Sequence, residues 1–364
     1  MRLRGISVDI AARLLLRPTR LPQGPLHVLL CIADHFEPAW HNADADTQRT
    51  RVQRWVRKLP AISSEFIDSA GGTPRHTFFF PAEQYDAALL DPLAELCHSN
   101  WGDVEVHLHH DNDSPQHLRE TLESFTERLA VRHGLLRRNE QGMVQYGFVH
   151  GNWALNNSRP DGRWCGVDGE LSILAQTGCY ADFTMPAAPC ETQTRAVNSI
   201  YYADCRPDAG RCAHEGGFAA KVGQRKPDHT LLMVQGPLLF NWRRRKWGCL
   251  PKLENGDLRA GHPPTLARLQ QWLSAGIHVQ GRPNWIFIKL HTHGAPEANA
   301  EILLGPAMRQ FHADLAHLAQ VTDAFRYYYV TAYEMTQFIH QAECGQSEPC
   351  LDDLRSRALA AVPR

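Results

Sequence analysis

Short runs of apolar residues recur along this chain, and several stop at a histidine or an aspartate. Leu26-His27-Val28-Leu29-Leu30-Cys31-Ile32-Ala33 runs into Asp34-His35-Phe36-Glu37. Tyr146-Gly147-Phe148-Val149 delivers His150-Gly151-Asn152-Trp153, and Trp285-Ile286-Phe287-Ile288-Lys289-Leu290 ends in His291-Thr292-His293. A run apolar on both faces suits a strand covered by helices on both sides, the environment of a parallel sheet. Helical patterns fall between the runs. Positions 47–66 carry Val52, Trp55, Val56 and Leu59 on one side, and 115–134 carry Leu118, Leu122, Phe125 and Leu129 behind a Ser114-Pro115 start. Further helices are expected at 83–98, 168–176, 265–275, 297–304, 306–320 and 332–342. The alternation predicts an α/β fold of seven or eight strands, a distorted (β/α) barrel of TIM-like type whose strand ends meet at one mouth.

The stretch Asp103-Val104-Glu105-Val106-His107-Leu108-His109-His110-Asp111-Asn112-Asp113 has period two. Val104, Val106 and Leu108 face one way, and Glu105, His107 and His109 the other. Two imidazoles side by side on one strand can share a cation, and catalytic zinc sites typically use three protein ligands. A lone strand-end histidine would mean little. Here Asp34/His35, His107/His109, His150 and His291/His293 end four separate strands. That distribution points to a metal-dependent hydrolase.

Composition narrows the class. With 38 Lys plus Arg against 39 Asp plus Glu, the net charge of −1 argues against bulk nucleic-acid binding. No apolar run approaches the roughly 18–20 residues of a membrane helix. At the amino end, arginines interrupt Ala11-Ala12-Arg13-Leu14-Leu15-Leu16 and no small-residue cleavage site follows. A basic extension over 1–25 is therefore expected in place of a secretory signal, forming a short amphipathic helix on the domain or on a membrane surface. A cytoplasmic location follows from that reading. The ten cysteines contain no CxxC pair and read as reduced packing thiols. Cys205 and Cys212 bracket a polar loop near His214, where a structural metal is the less ordinary alternative. The expected organisation is a catalytic domain over 26–342, a loop-rich excursion at 186–227 and a polar tail over 343–364. The basic segment Asn241-Trp242-Arg243-Arg244-Arg245-Lys246-Trp247 reads as a solvated loop or a grip for an acidic group.

Taken in order, these motifs resemble the polysaccharide deacetylase superfamily, carbohydrate esterase family 4 and its relatives. Ile32-Ala33-Asp34-His35 looks like its first motif, and Asp103 to His109 is similar to its Glu-Ile-x-x-His-x-His form. Phe148-Val149-His150-Gly151-Asn152-Trp153, followed by Gly178-Cys179-Tyr180-Ala181-Asp182, resembles the substrate-groove motif. Leu290-His291-Thr292-His293 resembles the final histidine motif, and Val330 to Met335 the closing strand and helix. The resemblance spans about residues 26 to 342. This chain departs from the family in having His35 for the second aspartate and His150 for the groove arginine, and in lacking His-x-x-x-His spacing.

The resemblance implies a deacetylase-type barrel that removes acetyl groups, foremost from nitrogen, from a polysaccharide or glycolipid precursor. Its cofactor would be a divalent ion, zinc or else cobalt, nickel or iron, held by His35, His107 and His109 with His110 and Asp113 as fallback ligands. An acetamide is unreactive, so a metal must polarise it and activate water. Asp34 is then the expected general base, and His291 or His293 the general acid. His150, Asn152, Trp153 and Trp242 are the expected substrate-binding residues. Two other readings stand beside this one. A metal-dependent glycoside hydrolase would draw its carboxylates from Asp34, Glu37 and Asp113. A catalytically silent sugar-binding relative would fit the substitutions at His35 and His150.

Overall fold

Strand β1, Leu26–His35, lies at the centre of the sheet and is almost wholly buried. The structure is a computed structural model that describes residues 2–3, 6–16 and 24–351. Parts of the expected basic extension (1, 4–5 and 17–23) and of the polar tail (352–364) lie outside the described residues. After β1 come β2 (His76–Pro81), β3 (Gly102–Leu108), β4 (Val144–His150), β5 (Cys179–Asp182) and β6 (Ile200–Asp204). Then follow β7 (Thr230–Val234), β8 (Leu239–Lys246), β9 (Leu250–Glu254), β10 (Asp257–Leu258), β11 (Trp285–Thr292) and β12 (Phe325–Tyr329).

The helices are α1 (Val8–Leu16), α2 (Ala45–Ser63), α3 (Ala87–His98), α4 (Pro115–Glu127) and α5 (Glu170–Gln176). The remainder are α6 (Leu266–Ser274), α7 (Glu297–Leu303), α8 (Pro306–Val321) and α9 (Ala332–Glu343). Their starts obey local chemistry. Ser114 caps α4 by accepting from the His117 N–H with Pro115 behind it, and Thr331 and Glu334 close a capping box on α9.

The strands run parallel in the order β7, β5, β4, β3, β2, β1, β11, β10. Strand β1 has three partners. On one side β11 follows it from His27 to Asp34. On the other, β12 takes Leu26 to Leu30 and β2 takes Ala33 to His35. A mixed α/β fold around a large, mostly parallel sheet is thus present; among the described residues no ladder between these strands joins its two ends, so the pairings do not establish the expected distorted TIM-like barrel. The excursion at 186–227 is also not all loop. It contains β6, which pairs antiparallel with β7 and extends that end of the sheet.

Side chains alternate across the sheet. Leu29, Cys31, Phe79, Val149, Phe183 and Phe287 pack with Met335, Phe338 and Ile339 of α9. Val28, Leu30, Phe78, Val104, Val106 and Ile288 pack on the other face with Trp55 of α2, Leu93 of α3 and Leu122 of α4. The β8–β9 hairpin stands apart from the sheet, and α1 packs near it through Ile10, which clusters with Ile6 just before the helix and Leu238 just before β8. No described helix is long and apolar enough to cross a membrane.

Candidate metal centre

Period two puts His35 on the α9 face of β1 and Asp34 on the opposite face. Two residues beyond His35, Glu37 turns a buried carboxylate toward the imidazoles that end β3 and β11. The Nε2 atoms of His107, His109 and His293 stand 3.5, 3.9 and 3.6 Å from Glu37 Oε1. The His35 ring lies 4.9 Å from the ring centres of both His107 and His293. Ligands about 2.1 Å from a tetrahedral ion are about 3.4 Å from one another, close to these separations.

Hydrogen bonding points the same way. His35 Nδ1, Glu37 Oε1 and His107 Nε2 are buried and have no hydrogen-bond partner. Buried polar atoms are seldom left so, and each exception asks for a cause. Candidate ligand atoms of His35, Glu37 and His107 all lie within 4.8 Å of one another, so one cation would satisfy the set.

The tautomers are arranged for this. His107 Nδ1 donates to the Val149 carbonyl at 3.1 Å, which leaves a lone pair on Nε2. His109 Nδ1 faces Glu83 Oε1 at 2.5 Å and donates to it, with the same result. Burial pushes the His107 pKa down to about 3 and holds His35 well below its usual value, so both imidazoles are neutral and able to ligate. For His109 burial works in the same direction, but the Glu83 hydrogen bond and charge outweigh it and raise the pKa. Burial raises the pKa of Glu37. These residues fit a divalent ion with nitrogen and oxygen ligands.

Asp34 does not face this group. Its Oδ2 meets His76 Nε2 at 2.8 Å, and its Oδ1 accepts the Gly294 N–H at 2.6 Å. A Cβ at position 294 would meet Asp34 Oδ2 at 2.0 Å, so only glycine allows the approach. Asp34 therefore anchors the turn beside His293. His291 lies on the inner face of β11, buried, with Nδ1 unpartnered. With His293, Trp153 and Asp257 it lines a cavity of about 310 Å³. The Trp153 ring is 5.8 Å from His35 and 6.0 Å from His293.

The remaining expected residues lie elsewhere. His150 belongs to a second group with His110, Cys165 and Glu170. There His110 Nδ1 meets Asp113 Oδ2 at 3.0 Å and Nε2 meets Glu170 Oε1 at 3.1 Å. Burial would lower the His110 pKa, but its bonds to Asp113, Cys165 and Glu170 raise it to about 12. His110 and Asp113 are hydrogen-bonded to each other, apart from the Glu37 group, and the His110, His150, Cys165 and Glu170 atoms lie close enough together that they too could hold an ion. Asn152 donates its backbone N–H to His150 Nδ1 at 3.2 Å. Trp242 is half exposed on β8, outside the 310 Å³ cavity. Cys205, Cys212 and His214 form no metal-holding group among the described residues.

Sequence reasoning passed over Glu37 as a ligand and Glu83 as its neighbour's anchor. The His35-x-Glu37 spacing at a strand end was the available signal for the former. Glu83, 26 positions from its partner His109, left none.

No protein-family model and no curated protein matches the chain. Among solved structures it is similar to an alpha-mannosidase from Enterococcus faecalis V583, with a TM-score of 0.45 and 9% sequence identity. The similarity covers 87% of this chain and 29% of that one, so the chain spans less than a third of the mannosidase's length.

Proposed function

We propose that this chain is a metal-dependent hydrolase that removes acetyl groups from an acetylated carbohydrate or glycolipid, de-N-acetylation foremost. The observation that carries the reading is the convergence of His35, Glu37 and His107 through buried atoms that nothing in the protein satisfies. His35, Glu37 and His107 would hold the ion, with His109 and His293 beside them. Zinc, or cobalt, nickel or iron in its place, supplies Lewis acidity to a carbonyl and to water when bound. The acetyl substrate itself rests on the sequence resemblance.

The chain's own groups then have distinct tasks. Val149 and Glu83 fix the rings of His107 and His109 with Nε2 toward the centre. Asp34 positions the Gly294 turn, and through it His293. His291, which lines the cavity and has an unpartnered Nδ1, exchanges the proton with the leaving amine. Trp153 walls the cavity and offers its face to a sugar ring. The glycosidase reading would rest on Glu37 alone among its three carboxylates, because Asp34 and Asp113 are tied to His76 and His110. The test is metal analysis of the purified chain followed by acetate release from acetylated oligosaccharides. Stoichiometric metal and released acetate are expected. His291→Ala should keep the metal and lose about 10²–10⁴-fold in rate. A protein that binds no divalent metal, or releases sugar in place of acetate, ends this reading.

A further inference from the structure

We propose that the pocket between α1 and the β8–β9 hairpin binds the hydrocarbon chain of an anionic amphiphile whose polar head extends into the metal-centre cavity. The inference deepens the functional reading by naming its substrate class, and so rests on that reading for the head-group end.

The pocket has a volume of about 610 Å³, within the roughly 300–1,000 Å³ usual for ligand sites. Ile6, Leu15, Phe240, Trp242, Leu250 and Leu253 supply its apolar walls. Leu15 is 59% exposed, Trp242 50% and Leu250 38%, so the protein's own core does not cover this surface. Contiguous exposed apolar side chains of this kind mark a binding surface. The inner side of α1 is already used: Ile6 and Ile10 are buried against Ala188 and Leu238, which fixes the helix as a wall.

Two observations select the occupant. First, the pocket adjoins the 310 Å³ cavity: Ala188, Pro189, Asn255, Asp257 and Arg259 line both. The second cavity reaches His291 and His293, so one ligand can lie in both with its reactive end near the histidines. Second, the rim is cationic. Lys246 and Lys252 line the pocket and have no acidic partner among the described residues. Its acid, Asp257, is taken by Arg259 at 2.7 Å and His262 at 2.9 Å. Apolar walls beside the unpaired Lys246 and Lys252 match a hydrocarbon chain whose negative charge sits at that rim, short of the polar end that reaches the cavity.

Dansyl-labelled undecanoic acid, titrated as a monomer into the full chain and followed by dansyl fluorescence, tests this. Saturable binding is expected, before and after metal removal with a chelator. Leu15→Asp and Leu250→Asp place charges on exposed wall positions and should each weaken binding about tenfold or more, with an unchanged circular dichroism spectrum. Lys246→Glu combined with Lys252→Glu should weaken it as well. Flotation with phosphatidylcholine vesicles, with or without phosphatidylglycerol, separates the sources. Recruitment by the anionic vesicles alone assigns a bilayer lipid, and no recruitment assigns a free amphiphile. Absence of saturable probe binding, indifference to both aspartate variants, or vesicle binding without monomer binding overturns the pocket assignment. Loss of the metal reading alone would leave probe binding intact, so the two failures are distinguishable.

Discussion

Glu37 and Glu170 each sit buried among imidazoles, yet they make opposite use of them. Around Glu170 nearly every polar atom has a partner: His110 bonds two carboxylates, and the Asn156 N–H and the Cys165 thiol both donate to Glu170 Oε2. Around Glu37 the carboxylate Oε1, His35 Nδ1 and His107 Nε2 are buried together with no hydrogen-bond partner. Residue type does not separate a salt-bridged clamp from a metal centre. The state of the second ring nitrogen does. A backbone carbonyl or one carboxylate on Nδ1 leaves Nε2 a ligand, whereas carboxylates on both nitrogens make a cation.

Removing a group from each cluster gives the sharpest contrast. His107→Ala or Glu37→Ala should abolish stoichiometric metal binding, measured by plasma mass spectrometry, while the thermal transition survives. If either variant keeps a full complement of metal, the Glu37 group is not the centre. Glu170→Ala should do the reverse. Deleting one partner of a buried ion pair leaves the other charge uncompensated and typically costs about 3–5 kcal/mol, read as a fall in denaturant midpoint with metal content preserved. A Glu170→Ala protein that lost its metal and kept its stability would exchange the two roles.

A smaller effect sharpens the metal side. Glu83→Gln weakens the hold on His109 Nδ1 and should reduce metal affinity about 10–100-fold in competition with a chromogenic chelator. The gentlest test uses pH on the clamp. For Glu170, burial would raise the pKa, but His150 and His110 outweigh it and lower it to about 2. Its stabilising contribution is therefore present above the ordinary value of 4.5 and lost as pH falls toward 2. The raised His110 contributes fully below its ordinary 6.5 and loses that contribution as pH rises toward about 12. Stability from this pair should be greatest between roughly pH 4.5 and 6.5 and decline on both sides. Urea unfolding of His110→Gln/Glu170→Gln should show that dependence flattened, and an unaltered profile would remove the clamp from the account.

Much of this was readable in the residues and some was not. Apolar runs ending in polar residues located the parallel strands, and the side on which His107 and His109 project followed from period two. The same rule, applied to Asp34-His35, already sends the two side chains to opposite faces, so assigning both to one centre conflicted with the alternation. His150 could not be sorted from sequence, because a loop brings Glu170 to it from another element. Closure of the sheet was equally hidden. Whether β6 lies beside β7, or β12 beside β1, depends on ladder partners chosen far along the chain.

That last placement bears on the order in which the protein can be assembled. β12, the last strand among the described residues, pairs with β1 on the side that β2 also uses, and behind it the Ala332 N–H reaches Thr77 Oγ1 at 3.0 Å. A chain leaving the ribosome exposes β1 well before β12 and must hold residues 26–30 unpaired on that side until Phe325–Tyr329 has emerged. Contacts between such distant segments pay their loop-closure cost late and fold slowly. A ribosome-bound chain halted before Phe325 should accordingly be open to proteases along β1, with the histidine-bearing strand ends not yet brought together.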